Sequence, residues 1–195
     1  MRYIFLRHPQ TVANEAGYIY GKKDYPYTSL GQEQLIEAVK LSKGFTFDRI
    51  ISSPIGRAKL LAQAVAEHHD MDMDEAPELE EMGYGILEGL TVEEGRLKYP
   101  EVIEAFMEGD PTYTIPEGET SEAFLRRIEE FLDGHLDKDE TILIVSHGGV
   151  IRTAIEYLLD AEPGFSWQIE VGNGSFIEVV CEDGYHRLKN IINQG

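Results

Sequence analysis

Two histidines and two arginines carry the first chemical signal in this chain. His8 stands in Ile4-Phe5-Leu6-Arg7-His8-Pro9-Gln10, where a short apolar run stops at an Arg-His pair followed by proline. Proline cannot continue a strand ladder, so Arg7 and His8 are expected just past a strand's carboxyl end, where open α/β sheets place their ligands. His147 repeats that position: Thr141-Ile142-Leu143-Ile144-Val145 is an apolar, β-branched run ending in Ser146-His147-Gly148-Gly149. A histidine so placed can serve as nucleophile, base or metal ligand. Arg7 tilts the choice, because a fixed guanidinium repels a metal cation and matches a phosphate or carboxylate by paired hydrogen bonds.

Arg57 adds a second cation. It falls in the first turn of a helix predicted from Ser52-Ser53-Pro54 to about His69, where free backbone N–H groups and the helix dipole favour an anion. The plainer alternative is a surface arginine paired with an acid. Leu79 to Leu90 is punctuated by Gly83, Gly85 and Gly89 and apolar between its acids, so one of those carboxylates is expected in a cleft. Dry surroundings would raise its pKa and suit it as a general acid, but the stretch does not say which acid is buried. Two strand-end histidines, Arg7, Arg57 and a cleft carboxylate together point to a phosphate monoester. The arginines would hold the non-bridging oxygens, a neutral histidine would attack phosphorus, and a carboxylic acid would protonate the leaving oxygen.

These groups need a scaffold, and the chain alternates strand and helix. Tyr3 to Leu6 reads as a buried strand, and Thr28-Ser29 caps a helix over Gln32 to Lys43 whose apolar positions recur at helical spacing until Gly44. Asp48 to Ile51 is a second short strand. Thr91-x-x-Glu94 is a capping-box pattern, Tyr99-Pro100 breaks that segment, and Glu101 to Gly109 is a further short helix. Asp110 to Thr120 is loop, and Thr120-Ser121 caps a helix from about Glu122 to His135 with Phe124, Leu125, Ile128, Phe131 and Leu132 on its core face. After Val145, a helix spans Val150 to Leu159. The tail reads as three strands, Trp167 to Val171, Phe176 to Cys181 and Tyr185 to Ile191, joined by Gly-rich turns. The expected fold is an α/β three-layer sandwich with a mostly parallel central sheet flanked by helices. It forms one domain over residues 1–195, with a small helical and loop cap at about 91–121.

Composition bounds the partners. The 195 residues carry 36 acids against 17 bases, a formal charge of -19 that repels nucleic acid and anionic membranes. No apolar run approaches membrane-spanning length, no leader pattern precedes the first strand, and one cysteine excludes an internal disulfide, so a cytoplasmic location is expected. A homodimer is left open. His68 to Glu75 is dense in histidine and carboxylate, but it follows a helix end without calcium-loop spacing and reads as a solvated acidic connector.

Four motifs now fall in order: Leu6-Arg7-His8 with Thr11 and Asn14; Ser52-Ser53-Pro54 with Arg57-Ala58; Leu79-x-Glu81 with Gly85 and Glu88-Gly89; and Ser146-His147-Gly148-Gly149-Val150-Ile151-Arg152. Together they resemble the histidine phosphatase superfamily, in its phosphoglycerate mutase-like branch, over nearly the whole chain. The resemblance implies that His8 is the phosphorylated nucleophile, Arg7, Arg57 and His147 the phosphate pocket, and Glu81 the general acid. It implies further that Asn14 and the Gly148 N–H contact phosphate, that Tyr20-Gly21 holds substrate, and that neither metal nor other cofactor is needed. Pro9-Gln10 departs from the family's usual glycine and acid after the nucleophile, which removes a backbone donor and fixes φ near about -65°.

Mutases of this branch resemble a longer chain whose inserted segment lays basic residues over the substrate. Here Thr91 to Ser121 is short and acidic, with Arg96 and Lys98 its only cations, which favours a phosphatase acting on a small phosphorylated metabolite. Within the phosphatases the chain is similar to α-ribazole and broad-specificity enzymes. Tyr18, Tyr20, Tyr84 and Tyr113 either stack on a substrate ring or simply pack. Three rival readings stand beside this one: a phosphoglycerate mutase-type phosphotransferase, a phosphate-binding homologue disabled at Pro9, and a cysteine phosphatase built on the C-x5-R spacing of Cys181 and Arg187. The last is disfavoured because Glu182 and Asp183 would repel phosphate there.

Overall fold

Strand β1, Arg2–Arg7, is buried on both faces, and its alternation sets the layers. Tyr3 and Phe5 point into one hydrophobic cluster while Ile4 and Leu6 point into another. Strand β4, Thr141–Ser146, divides in the same way, with Ile142 and Ile144 on the first side and Leu143 and Val145 on the second. Continuous apolar strands of this kind are stable only between two helical layers. Helices α6, Ser121–Asp133, and α7, Gly148–Leu158, cover the first face. Helices α2, Ser29–Ser42, and α3, Gly56–His69, cover the second. The computed structural model describes residues 1–110, 112–136 and 139–194, and in it the three-layer α/β sandwich is realised. Pro111 of the expected loop lies outside the described residues.

The six-stranded sheet runs β3-β2-β4-β1-β5-β6, where β2 is Arg49–Ser52, β3 Asp74–Glu75, β5 Phe176–Glu182 and β6 Tyr185–Ile192. Strands β3, β2, β4 and β1 are parallel, while β5 and β6 close the sheet antiparallel. One register fixes the chemistry: Arg7 faces Ser146 across β1 and β4, so the residues that follow, His8 and His147, emerge side by side. The His8 N–H donates to the Ser146 carbonyl at 3.0 Å and carries the pairing one residue further.

Thr28, Thr91 and Thr120 each cap a helix through the side-chain oxygen, and Thr91 with Glu94 completes the capping box of α4, Val92–Lys98. Pro100 opens α5, Pro100–Glu108, at a helix start where its missing N–H costs nothing. Leu87, Ile103 and Ile115 form a third, smaller cluster that gathers α4, α5 and the loop after them over Tyr84.

Several expectations are corrected. Trp167 to Val171 is not a strand: Phe165–Gln168 is a 3₁₀ turn started by Gly164 at φ +88°. Polar side chains win over β propensity there, since Glu156 Oε1 accepts from the Gly164 and Ser166 N–H groups and from the Ser166 hydroxyl. Arg152 also bonds the Ser166 and Ile169 carbonyls and stacks on Trp167. Val12–Ala16, inside the presumed loop, is a short helix α1 opened by a Thr11–Asn14 capping box. The His68 to Glu75 connector ends in the edge strand β3, and His69 bonds Ser42 while Asp74 pairs with Arg49. Helix α3 starts at Gly56 without a side-chain cap on Ile55, and Ser53 Oγ instead accepts from the Ile55 N–H. Among the described residues no helix is long and apolar enough to cross a membrane, and no group of three or more His, Cys, Asp and Glu is placed to hold a metal ion.

Candidate active site

His8 and His147 are both buried, with ring centroids 5.3 Å apart at the ends of β1 and β4. His8 Nδ1 lies 2.7 Å from the Pro9 carbonyl, which can only accept, so Nδ1 carries the proton and Nε2 a lone pair. Arg57 Nε donates to that Nε2 at 3.3 Å. Burial, then the Arg57 and Arg7 guanidinium charges, hold the His8 pKa well below its ordinary 6.5. The ring is therefore neutral at pH 7, with the Nε2 electron pair accepting from the Arg57 cation. The His147 pKa is also held well below 6.5, by burial, then by Arg57, His8 and Arg7.

Arg57 is almost fully buried although it opens a helix. Nη1 donates to the Lys23 carbonyl at 2.8 Å and Nη2 to the Gly21 carbonyl at 2.6 Å, which leaves Nε turned to His8. The ring of Tyr20 lies under the guanidinium at 4.6 Å. The start of α3 is not the open anion site expected from its position: Asp24 occupies it, accepting the Arg57 N–H at 3.2 Å and standing beside Gly56. The side chain of Arg57, and not the helix end, faces the histidine.

Arg7 donates through Nη1 to the Val171 carbonyl at 2.6 Å, and its buried Nε has no partner among the described residues. Burial lowers its pKa from the ordinary arginine value, with neighbouring Tyr20 and Glu81 opposing the shift. Gly148 lies against it, so close that a Cβ would stand 3.3 Å from Arg7 Nε. Asn14 is turned by its contacts: Oδ1 accepts from the Thr11 N–H at 3.0 Å and the Thr11 hydroxyl at 3.1 Å, with Asn173 Nδ2 at 3.3 Å. The Tyr20 hydroxyl joins this network through Thr11 at 3.1 Å.

Two acids of the Leu79 to Leu90 stretch are buried, Glu81 and Glu88, and their partners separate them. Glu88 accepts from the N–H groups of Lys22, Lys23 and Tyr84, clamping the loop whose carbonyls hold Arg57. Glu81 accepts from the Met82 N–H at 3.0 Å and from the Gly149 N–H at the start of α7 at 3.0 Å. Its own carbonyl accepts from Arg127, which is paired with Glu119 at 2.8 Å.

Pro9 fits because neighbouring donors are satisfied around it: the His8 N–H meets Ser146 and the Gln10 N–H meets Gln34 Oε1 at 2.8 Å. Gln10 ties the loop to the start of α2 through Thr28. The nine residues singled out, His8, Glu81, Arg7, Arg57, His147, Asn14, Tyr20, Gly21 and Gly148, are thus brought to one end of β1 and β4. Tyr84 packs on Phe106 and Tyr113 joins the third cluster. Cys181 and Arg187 lie on the paired strands β5 and β6, away from any helix start.

The sequence reasoning missed Asp24, Asn173 and the contact of Ser53 with His147. Asn173 Nδ2 donates to the His8 carbonyl at 3.1 Å, and the Gly174 N–H reaches the Arg7 and His8 carbonyls at 3.2 Å. The Gly-Asn-Gly turn was the one local sign of this, and it signals only a tight turn.

Comparison with known proteins identifies the family and the fold. The sequence model of the histidine phosphatase superfamily (branch 1) matches residues 3–194. The adenosylcobalamin/alpha-ribazole phosphatase of Salmonella typhimurium is 33% identical over 97% of this chain and 95% of its own. A 2,3-bisphosphoglycerate-dependent phosphoglycerate mutase of Bartonella henselae is 29% identical over 87% of each chain. The crystal structure of the alpha-ribazole phosphatase from Shigella flexneri superposes with a TM-score of 0.88 at 29% identity, covering 97% of this chain and 95% of that one.

Proposed function

The chain belongs to the histidine phosphatase superfamily (branch 1), and from that premise we propose a metal-independent phosphomonoesterase that works through a phosphohistidine on His8. The observation that carries the proposal is the neutral His8 with its Nε2 lone pair 3.3 Å from Arg57 Nε. A nucleophile must be unprotonated at the attacking atom, and the bond to the Pro9 carbonyl puts the proton on the other nitrogen. Nε2 attacks phosphorus in line. The charge spreading over the equatorial oxygens meets Arg7, Arg57, His147, Asn14 and the Gly148 N–H, already fixed before the substrate arrives. Glu81, held by two backbone donors, gives a proton to the leaving oxygen and then takes one from the water that cleaves phosphohistidine.

Support for hydrolysis over transfer to a bound product comes from the few cations of residues 91–121. The cations of residues 91–121 are engaged with neighbours: Arg96 pairs with Glu104 at 3.1 Å and Lys98 sits over the Tyr99 ring. We take residues 91–121 as a cap that selects among small cytoplasmic phosphate esters. Tyr20-Gly21 is read as a substrate contact, and α-ribazole 5′-phosphate is a natural first member of a substrate panel, given the Salmonella and Shigella relatives.

The test is phosphate release from p-nitrophenyl phosphate and a panel of α-ribazole, sugar, nucleoside and amino-acid phosphates with a chelator present, for wild type and His8→Ala. Chelator-resistant release that disappears in the variant, with an acid-labile phosphoryl group on His8 after quenching, is expected. Release that survives His8→Ala overturns the mechanism. Release by wild type only when a bisphosphate primes the enzyme makes it a mutase.

A further inference from the structure

His147 Nε2 lies 2.8 Å from Ser53 Oγ, both atoms belonging to fully buried residues, while His147 Nδ1 is buried without a partner among the described residues. That pair of observations decides where a proton sits. We infer that Ser53 sets the tautomer of His147: its hydroxyl donates to Nε2, which keeps the imidazole proton on Nδ1 as the donor for a phosphoryl oxygen. Ser53 is on this account a positioning residue for the proposed reaction.

The argument is one of matching donors to acceptors. A neutral imidazole has one of each, and a serine hydroxyl has a single proton to place. Ser53 Oγ already accepts from the Ile55 N–H at 3.3 Å, so its own proton needs an acceptor, and among the described residues the one within reach is His147 Nε2. The opposite tautomer has two faults at once. With the proton on Nε2 the serine proton is buried with nowhere to go, and the Nδ1 lone pair is what remains to meet the negative oxygens of a phosphoryl group. The first tautomer has neither fault once a phosphoryl oxygen is present.

The sheet enforces the geometry. Ser52 faces Val145 in the β2–β4 register, and the Ser53 N–H donates to the Val145 carbonyl at 3.0 Å, so the serine and the histidine each follow the last residue of neighbouring parallel strands, one residue apart in register. His147 begins α7 without capping it through its side chain, which leaves the ring free to answer to Ser53.

This inference rests on the phosphoryl-site reading, and its test is separable from it because the tautomer is read in the free enzyme. Long-range ¹H–¹⁵N spectra of the labelled protein, with His147→Asn for assignment, report which ring nitrogen is protonated. Wild type is expected to show a protonated Nδ1 and an unprotonated Nε2 at His147. Ser53→Ala should move proton density to Nε2 and weaken orthovanadate binding by about tenfold or more, the scale of a lost hydrogen bond to a charged group. Ser53→Thr, which keeps the hydroxyl, should restore the Nδ1 proton. A wild-type His147 protonated at Nε2 overturns the inference outright, whether or not any variant folds. So does Ser53→Ala with Nδ1 still protonated and vanadate affinity within about twofold of wild type. Loss of phosphate release in every assay would overturn the phosphatase mechanism and leave the spectrum to decide the tautomer.

Discussion

Replacing Gly149 by alanine should separate the stability of α7 from the placement of Glu81. Gly149 is the second residue of Gly148–Leu158 and has no positive φ, so alanine suits its backbone. The obstacle is the carboxylate: an ideal Cβ would stand 2.3 Å from Glu81 Oε1, 3.1 Å from its Cδ and 3.2 Å from Oε2. Ordinary contact requires the carboxylate to retreat by about 1 Å, which breaks the Gly149 N–H bond to Oε2. The moving atoms end a flexible side chain, so the fold loses a hydrogen bond and gains up to about 1 kcal/mol of helix propensity. The net change should stay within about 1 kcal/mol, a Tm shift of about 2–4 °C at this size. Catalysis has no such compensation. A general acid displaced by about 1 Å costs on the order of 100-fold, or about 2.7 kcal/mol of barrier. The loss should fall on alkyl phosphates, whose leaving alkoxide needs the proton, and spare p-nitrophenyl phosphate, whose phenolate does not. The assay is kcat/KM across esters of graded leaving-group pKa beside a thermal melt. Equal loss on both kinds of ester, or unchanged rates, would refute Glu81 as the acid, and a Tm drop of about 10 °C would show that the backbone takes the clash.

Glu88→Gln leaves a single acceptor for the N–H groups of Lys22, Lys23 and Tyr84, so it should cost about 1–3 kcal/mol of stability and lower kcat/KM by loosening the carbonyls that hold Arg57; chemical denaturation and kinetics on the same sample check both. Stability should also fall as pH drops below 6.5. Unfolded histidine takes up its proton there while buried His8 and His147 stay neutral to well below it, so the unfolded state binds more protons and each ring contributes a slope of up to about 1.4 kcal/mol per pH unit. Urea melts between pH 6.5 and 5 should show that slope, reduced by about half in His8→Ala, and a flat profile would contradict the neutral pair. Cys181→Ser should leave kcat/KM within about twofold of wild type, since Cys181 lies on a strand of the β5–β6 hairpin, and abolished activity would revive the cysteine mechanism.

Much of the scaffold was legible because its signals are local. The apolar runs at Tyr3 to Leu6 and Thr141 to Val145 announce buried strands through their own composition, and Thr28, Thr91 and Thr120 announce helix starts through bonds that span three residues. Phe165–Gln168 misled because its β-forming residues are overruled by Glu156 and Arg152, which lie a helix away. The strand β3 is two residues long and exists only because β2 offers it an edge.

The chemical inventory is legible in the order of residues alone: histidines at two strand ends, arginines beside them, a glycine-punctuated acidic stretch, and the order of motifs that marks the family. It could not say which acid is buried, or that Asp24 plugs the start of α3 and turns Arg57 inward. Tertiary structure alone decided these. The register of Arg7 against Ser146 joins residues far apart in the chain, and a contact between distant residues leaves no periodicity, cap or turn at either site. The same holds for the protons. Pro9 assigns that of His8 through a neighbouring residue, whereas the partner of His147 is Ser53, reached only once β2 and β4 lie side by side.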